Sequence, residues 1–169
     1  MLKENPAPAG FSFGWVFGKI QTMKVLIQKV KKASVTVNKQ EIGSIGAGLL
    51  VFLGISKSDT EKDIDYLVNK IVNLRIFPGD GDSGFDKSVL EEEKEVLVVS
   101  QFTLYGSCDK GRRPDFFEAA RPEDAEVLYD KFVGKMVETG VSTATGQFQA
   151  MMDVSLINDG PVTLILESK

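Results

Sequence analysis

Two short segments combine residue types that can do chemistry. Ser100-Gln101-Phe102-Thr103 sets two hydroxyls and a carboxamide around an aromatic ring, directly after the apolar run Val96-Leu97-Val98-Val99. A buried strand ending this way leaves polar side chains and free main-chain N–H donors at a sheet edge, where ligand sites often form. The second segment is Asn158-Asp159-Gly160-Pro161-Val162-Thr163. Asp-Gly favours a turn, but the proline removes a ladder donor and restricts the glycine before it, unusual chemistry for a plain hairpin. A cis Gly160-Pro161 bond would turn two neighbouring carbonyl oxygens into a pocket.

What is missing narrows the chemistry further. The 169 residues include no histidine and a single cysteine, Cys108. That excludes a Ser-His-Asp triad, a Cys-His pair, an H-E-x-x-H zinc helix and any CxxC knuckle. Cys108 has no imidazole to activate it and reads as an incidental thiol. The acidic loop from Asp80 to Asp86 has Phe85 where a calcium loop needs glycine, so it reads as a solvated turn. Gly46-Ala47-Gly48 lacks the third glycine of a dinucleotide fingerprint, and no GxxxxGK[ST] occurs. No metal and no cofactor is expected. The net charge of -4 argues against a broadly basic surface. The local clusters Lys29, Lys31, Lys32 and Lys110, Arg112, Arg113 are either ordinary solvated charge or receivers of RNA phosphates.

These segments need a scaffold, and the composition supplies one: 43% hydrophobic and 26% charged residues fit a single globular domain with a real core. Residues 1–22 differ in character, with two prolines and the Gly-interrupted aromatic run from Phe11 to Gly18. They read as an N-terminal appendage, an upstream start or a weak targeting segment, ahead of a domain over 23–169. Val25-Leu26-Ile27, Val35-Thr36-Val37 and Glu41 to Ile45 predict strands, with a turn near Asn38-Lys39. Leu49 to Leu53 is continuously apolar and predicts a strand covered on both faces. Ser58-Asp59-Thr60-Glu61 resembles a capping box, and Ile64, Leu67, Val68, Ile71 and Val72 recur at helical spacing. Pro122 suits a first helical position, Ala125, Leu128, Tyr129, Phe132, Val133 and Met136 form a second stripe, and Gly140 is a stop. Val154 to Ile157, a turn at Asn158 to Pro161, and Val162 to Leu166 complete a mixed α/β order, β-β-β-β-α-β-α-β-β, with one further strand near Val141 to Thr145. No apolar run approaches the roughly 18 residues of a membrane span, and the lone thiol fits a reducing compartment, so a soluble, cytoplasmic protein is expected.

The two segments, in this order and at this separation, resemble the D-aminoacyl-tRNA deacylase family, whose motifs Ser-Gln-x-Thr and Asn-x-Gly-Pro-[Val/Phe]-Thr match Ser100 to Thr103 and Asn158 to Thr163. Leu26-Ile27-Gln28, Ala33 to Val37, Ile45 to Leu50 and Arg75-Ile76-Phe77 also resemble family sequence, so the likeness covers 23–169. It implies a single mixed α/β domain with a β-rich, barrel-like core and two amphipathic helices. It implies hydrolysis of the ester of D-aminoacyl-tRNA, and of glycine mischarged on tRNA, by a homodimer that binds the aminoacylated 3′ end. Gly160 and Pro161, joined by a cis bond, would reach the partner's pocket, hold the α-amino group with main-chain oxygens and exclude an L side chain. Asn158, Asp159 and Thr163 would belong to the same substrate-binding segment, with Lys29 as its brace and Arg113 as a further contact. Lys29 stands where many family members have Arg, and Gly111-Arg112-Arg113-Pro114 where many have Gly-Met-Arg-Pro.

Of the catalytic candidates Ser100, Gln101, Phe102 and Thr103, the amides around Phe102 and Thr103 would stabilise the oxyanion. The Thr103 hydroxyl lacks a base to activate it, so the ribose 2′-hydroxyl of the tRNA would assist water, with Thr103 and Gln101 positioning the substrate. The rival reading is a noncatalytic nucleic-acid-binding accessory protein that uses the basic residues and the appendage.

Overall fold

The computed structural model describes residues 22–79, 84–109 and 111–169. The appendage assigned to residues 1–22, apart from Thr22, lies outside the described residues, as do 80–83 of the acidic loop and Lys110 of the basic loop. The elements are β1 (Lys24–Val37), β2 (Gln40–Ile45), β3 (Gly48–Gly54), α1 (Glu61–Asn73), β4 (Glu95–Ser100), a 3-10 turn (Phe102–Tyr105), α2 (Pro122–Glu138), β5 (Thr143–Thr145) and β6 (Asp153–Glu167).

The sheet runs β2-β1-β3-β4-β5, with β6 on the other edge of β1. Antiparallel pairs join β1 to β2, β3 and β6, and parallel pairs join β3 to β4 and β4 to β5. The two ends of the sheet approach each other: a Cβ added to Gly43 of β2 would lie 2.3 Å from the carbonyl oxygen of Thr145 in β5. The result is a nearly closed, barrel-like sheet with two helices on its outer face, the mixed α/β architecture expected.

Continuous apolarity in β3 and β4 has the predicted cause. Leu49, Val51, Val96 and Val98 face the helices, packing with Leu67, Ile71, Phe132 and Met136, while Leu50, Leu97 and Val99 pack inside the curved sheet with Val30, Ala33 and Val35. The stripe of α1 is buried at all five predicted positions. Pro122 opens α2, and Gly140, at φ +86°, follows its end. Asn38 and Lys39 both have positive φ, as a tight two-residue hairpin between β1 and β2 requires.

Three local expectations are corrected. The strands foreseen at Val25 to Ile27 and Val35 to Val37 are one 14-residue strand. Its inward positions include Lys29, which breaks the apolar alternation in sequence without leaving the ladder. The turn foreseen at Asn158 to Pro161 is a bulge inside one 15-residue strand: Asn158 pairs Val30 and Thr163 pairs Gln28, so the chain keeps its direction across 159–162. The cap of α1 is Thr60, not Ser58, because the Asp63 carboxylate accepts the Thr60 N–H at 2.7 Å, while Asp59 is engaged by Ser56.

Two glycines make opposite predictions. A Cβ at Gly48 would lie 2.0 Å from the Glu95 carbonyl oxygen, whereas one at Gly134, inside α2, would meet nothing within 4 Å. Gly48→Ala should destabilise by about 3 kcal/mol, and Gly134→Ala should stabilise by about 1 kcal/mol, in chemical unfolding at fixed pH.

Candidate active site

The end of β4 forms the first half of the site. Ser100 pairs with Leu53, and the Gln101 N–H donates to the Leu53 oxygen at 2.7 Å, holding the chain to the sheet until it breaks into the 3-10 turn. The Phe102 and Thr103 amides open that turn, where N–H groups have no intrahelical acceptor, and neither donates a hydrogen bond within the described residues. The Gln101 side-chain amide donates to Thr103 Oγ1. Among the described residues the hydrogen-bond partner of the Thr103 hydroxyl is this amide, a proton donor.

Phe102 is 57% exposed and meets Phe116 edge-on, with ring centroids 5.0 Å apart. The opposite end of the turn is anchored. Tyr105 is buried, and its hydroxyl donates to the Thr22 oxygen at 2.6 Å. Burial, then the neighbouring Asp59 carboxylate, raise the Tyr105 phenol above its ordinary pKa and keep it a donor.

A cavity of about 840 Å³ lies beside Ser100, Gln101 and Phe102, walled by Phe116, Phe148, Met151, Met152 and the start of α2 at Arg121 and Pro122. Met151 is 92% exposed. Flat, polarisable side chains of this kind suit the face of a nucleobase. The sequence reading missed this wall. Its one signal was a set of apolar residues between β5 and β6 that obey neither helical nor strand spacing.

The second half of the site stands elsewhere on the sheet. The Gly160-Pro161 bond is cis, and both residues are exposed. Gln28 Nε2 donates to Asn158 Oδ1 at 3.1 Å, and the Thr163 hydroxyl donates to the same oxygen at 3.3 Å, so the two ends of the bulge are clamped together. Lys29, buried at 8% exposure, pairs with Asp159 at 3.3 Å and lies 5.8 Å from the Phe77 ring centroid. Lys29 thus pairs with the residue next to Gly160. Arg113 is exposed in the bend 111–113, inside a loop closed by the Ser107 and Asp115 bridge, and does not line the cavity.

The two halves are not brought together within one chain. Ser100 shares a row with Leu53, Val25 and Leu166. Asp159 sits by Lys29, four residues further along β1 from Val25, ~13 Å at the rise of a strand, and three strands across from β4.

A sequence-family model described as D-Tyr-tRNA(Tyr) deacylase matches residues 26–167. A D-aminoacyl-tRNA deacylase of Bacillus cereus is 56% identical over 147 residues, 87% of this chain and all of the relative. One of Halothermothrix orenii is 56% identical over 146 residues, 86% of this chain and 97% of the relative. Among solved structures, one named c-Myc DNA Unwinding Element Binding Protein superposes with TM-score 0.81 at 43% identity, covering 86% of this chain and 99% of that one. Another, described as a probable eukaryotic D-amino acid tRNA deacylase, shares the fold with TM-score 0.76 at 20% identity, over 87% of this chain and 100% of that one.

The Lys29 brace makes its own prediction. Lys29→Met should accelerate amide hydrogen exchange across 158–163 by about tenfold, the loss of ~1.4 kcal/mol locally, and leave exchange in β4 unchanged.

Proposed function

Because this chain belongs to the D-Tyr-tRNA(Tyr) deacylase family, and so is a D-aminoacyl-tRNA deacylase by membership, we propose that its two motifs form one active site only across a homodimer. The observation that carries this reading is the separation of Ser100 to Thr103 from Gly160 and Pro161 on the sheet. A second subunit can supply what one chain cannot bring into reach. The surface of β6 fits such a role. Among the described residues it pairs only with β1, and it presents Ile157, Leu164 and Ile165 at 47%, 37% and 67% exposure. An unpaired apolar edge of this length is a liability unless it is covered.

In this site the terminal adenosine of the tRNA lies against Phe102, Phe116 and Met151, with the aminoacyl ester at the 3-10 turn. Main-chain oxygens of Gly160 and Pro161 from the partner receive the α-amino group, and their backbone leaves no room for a side chain on the L face. Selection is then steric and indifferent to the identity of the D side chain, and glycine passes. The Phe102 and Thr103 amides receive the charge that develops on the ester oxygen when water attacks. The adjacent ribose 2′-hydroxyl serves as the proton shuttle that the chain, without histidine, does not supply. Thr103 and Gln101 position the ester. A cytoplasmic location accords with a tRNA substrate and is part of this reading. A second reading, nucleic-acid binding without catalysis, draws on the 43% identical structure, which is named as a DNA unwinding element binding protein. A salt-dependent DNA titration with and without residues 1–22 separates it from the first.

Deacylation of D-tyrosyl- and L-tyrosyl-tRNA in the presence of chelator tests the reading. D-tyrosyl-tRNA and glycyl-tRNA should be hydrolysed and L-tyrosyl-tRNA spared; equal D and L rates refute the filter. Thr103→Ala should cost less than about tenfold in kcat, and a terminal 2′-deoxy substrate more than about a hundredfold. The reverse order would restore a threonine nucleophile. In the folded chain a Cβ at Gly160 meets nothing nearer than Asn158 Nδ2 at 3.9 Å. Gly160→Ala should therefore leave the melting temperature unchanged while lowering D-specific activity by at least about tenfold, and Ile165→Lys should shift sedimentation toward monomer and remove activity with it.

A further inference from the structure

The turn that gives the cavity its Phe116 wall carries a second aromatic residue. Phe116 meets Phe102 at the cavity, whereas Phe117 is 73% exposed, more than any other phenylalanine among the described residues. Its position is fixed all the same. The Phe117 N–H donates to Asp115 Oδ1 at 3.2 Å, the Ser107 and Asp115 main chains exchange bonds of 2.8 and 3.0 Å, and the Ala119 N–H closes a turn on the Phe116 oxygen at 3.1 Å. An apolar ring held in water in this way gains little from folding, since its surface is not removed from solvent.

A lysine is set against that ring. Lys57 Nζ lies 3.5 Å from the Phe117 centroid, within reach of a cation–π contact. The main chain fixes the pairing: the Lys57 N–H donates to the Glu118 oxygen at 3.4 Å, Ser56 bridges Ala119, and the Ala120 N–H donates to the Ile55 oxygen at 2.9 Å. Ile55, Ala119 and Ala120 line the cavity, so the two segments that wall the cavity also carry Lys57 and Phe117. Charge separates Lys57 from the other cation here. Arg121, which lines the cavity, has Asp124 at 3.7 Å, whereas among the described residues no carboxylate oxygen lies within 4.0 Å of Lys57 Nζ. In a chain of net charge -4, this ammonium stands unanswered beside an open aromatic ring.

Those two groups match the base and the phosphate of a nucleotide. A flat ring stacks on any base, and an ammonium meets phosphate as a point charge. The proposed function sets the terminal adenosine of the tRNA against Phe116, one residue and ~3.8 Å of main chain from Phe117. Resting on that reading, we propose that Lys57 and Phe117 seat the nucleotide that precedes the terminal adenosine, the ring stacking on its base and the ammonium meeting the phosphate that joins the two nucleotides. Lys57 covers one face of the ring, and the base takes the other. Both are positioning residues: they hold the strand one step away from the ester, so that the ester arrives at the 3-10 turn. Because stacking accepts every base, the subsite adds affinity for a single-stranded 3′ end without adding sequence preference.

The test compares deacylation of D-tyrosyl-tRNA with that of the D-tyrosyl ester of adenosine, which lacks the preceding nucleotide. Phe117→Ala should raise KM for the tRNA by about tenfold or more, keep kcat within about twofold, and leave both constants for the adenosine ester unchanged. Phe117→Trp should restore the KM. Lys57→Ala should raise KM for the tRNA and lower the slope of log KM against log salt by about 0.7, the share of one phosphate on a single strand, and Lys57→Arg should keep that slope. Equal effects of Phe117→Ala on the two substrates, which mean that the ring only supports Phe116, or no effect on either, overturn the proposal.

A second measurement involves no hydrolysis. Single-stranded RNA with 2-aminopurine at the penultimate 3′ position should lose fluorescence on binding the unaltered protein and keep it with Phe117→Ala, while the same base at the terminal position is quenched by both. Penultimate quenching without hydrolysis of D-tyrosyl-tRNA refutes the proposed function and upholds the subsite. Hydrolysis with penultimate quenching that Phe117→Ala does not change refutes the subsite alone.

Discussion

β1 holds β6 along nearly its whole length on one edge and β3, then β2, on the other. In a ladder the side-chain period is two, so fixing the register of one strand fixes which face every partner residue occupies. β1 therefore sets both the row that ends in Ser100 and the row that holds the Gly160-Pro161 bulge. The bulge exists because β6 spends five steps, from Asn158 to Thr163, where β1 spends two, from Val30 to Gln28. The surplus chain has to leave the ladder, and it does so at Pro161, a residue with no N–H to lose.

A second consequence of that register is an inward lysine. Lys29 occupies a position that alternation reserves for apolar side chains, at 8% exposure. A buried cation needs a partner, and the bulge supplies Asp159 at 3.3 Å. The clamp of Asn158 and Thr163 through Gln28 acts on the same segment, so side chains from both strands hold a stretch of backbone that the ladder has released. Such support holds the released backbone in one conformation.

The chain carries net negative charge and yet belongs to a family that acts on RNA. Its surface carries local features in place of a broad basic face: exposed arginines in the bend 111–113, Lys57 stacked on the exposed ring of Phe117 at 3.5 Å, and an aromatic and methionine wall along the cavity. Under the proposed function such a surface would give modest, end-directed contact with a nucleic acid in place of wide phosphate coverage. That suits an enzyme whose chemistry concerns only the last nucleotide.

The types of most elements were legible in sequence because periodicity reports burial directly: α1 and α2 by their apolar stripes, β3 and β4 by unbroken apolar runs. Continuity across Lys29 and across Gly160-Pro161 was not legible, since a polar residue or a proline in a strand reads as an end unless the partner strand is known. By itself the sequence determined the chemical vocabulary: no imidazole, two paired motifs, hydroxyls and backbone as the available groups. Only the tertiary structure decided that those motifs lie rows apart on one sheet and that Lys29 turns inward to Asp159. Those are long-range facts, set by which strands share a ladder, and local residue order carries no term for distance between segments that the fold brings together or keeps apart.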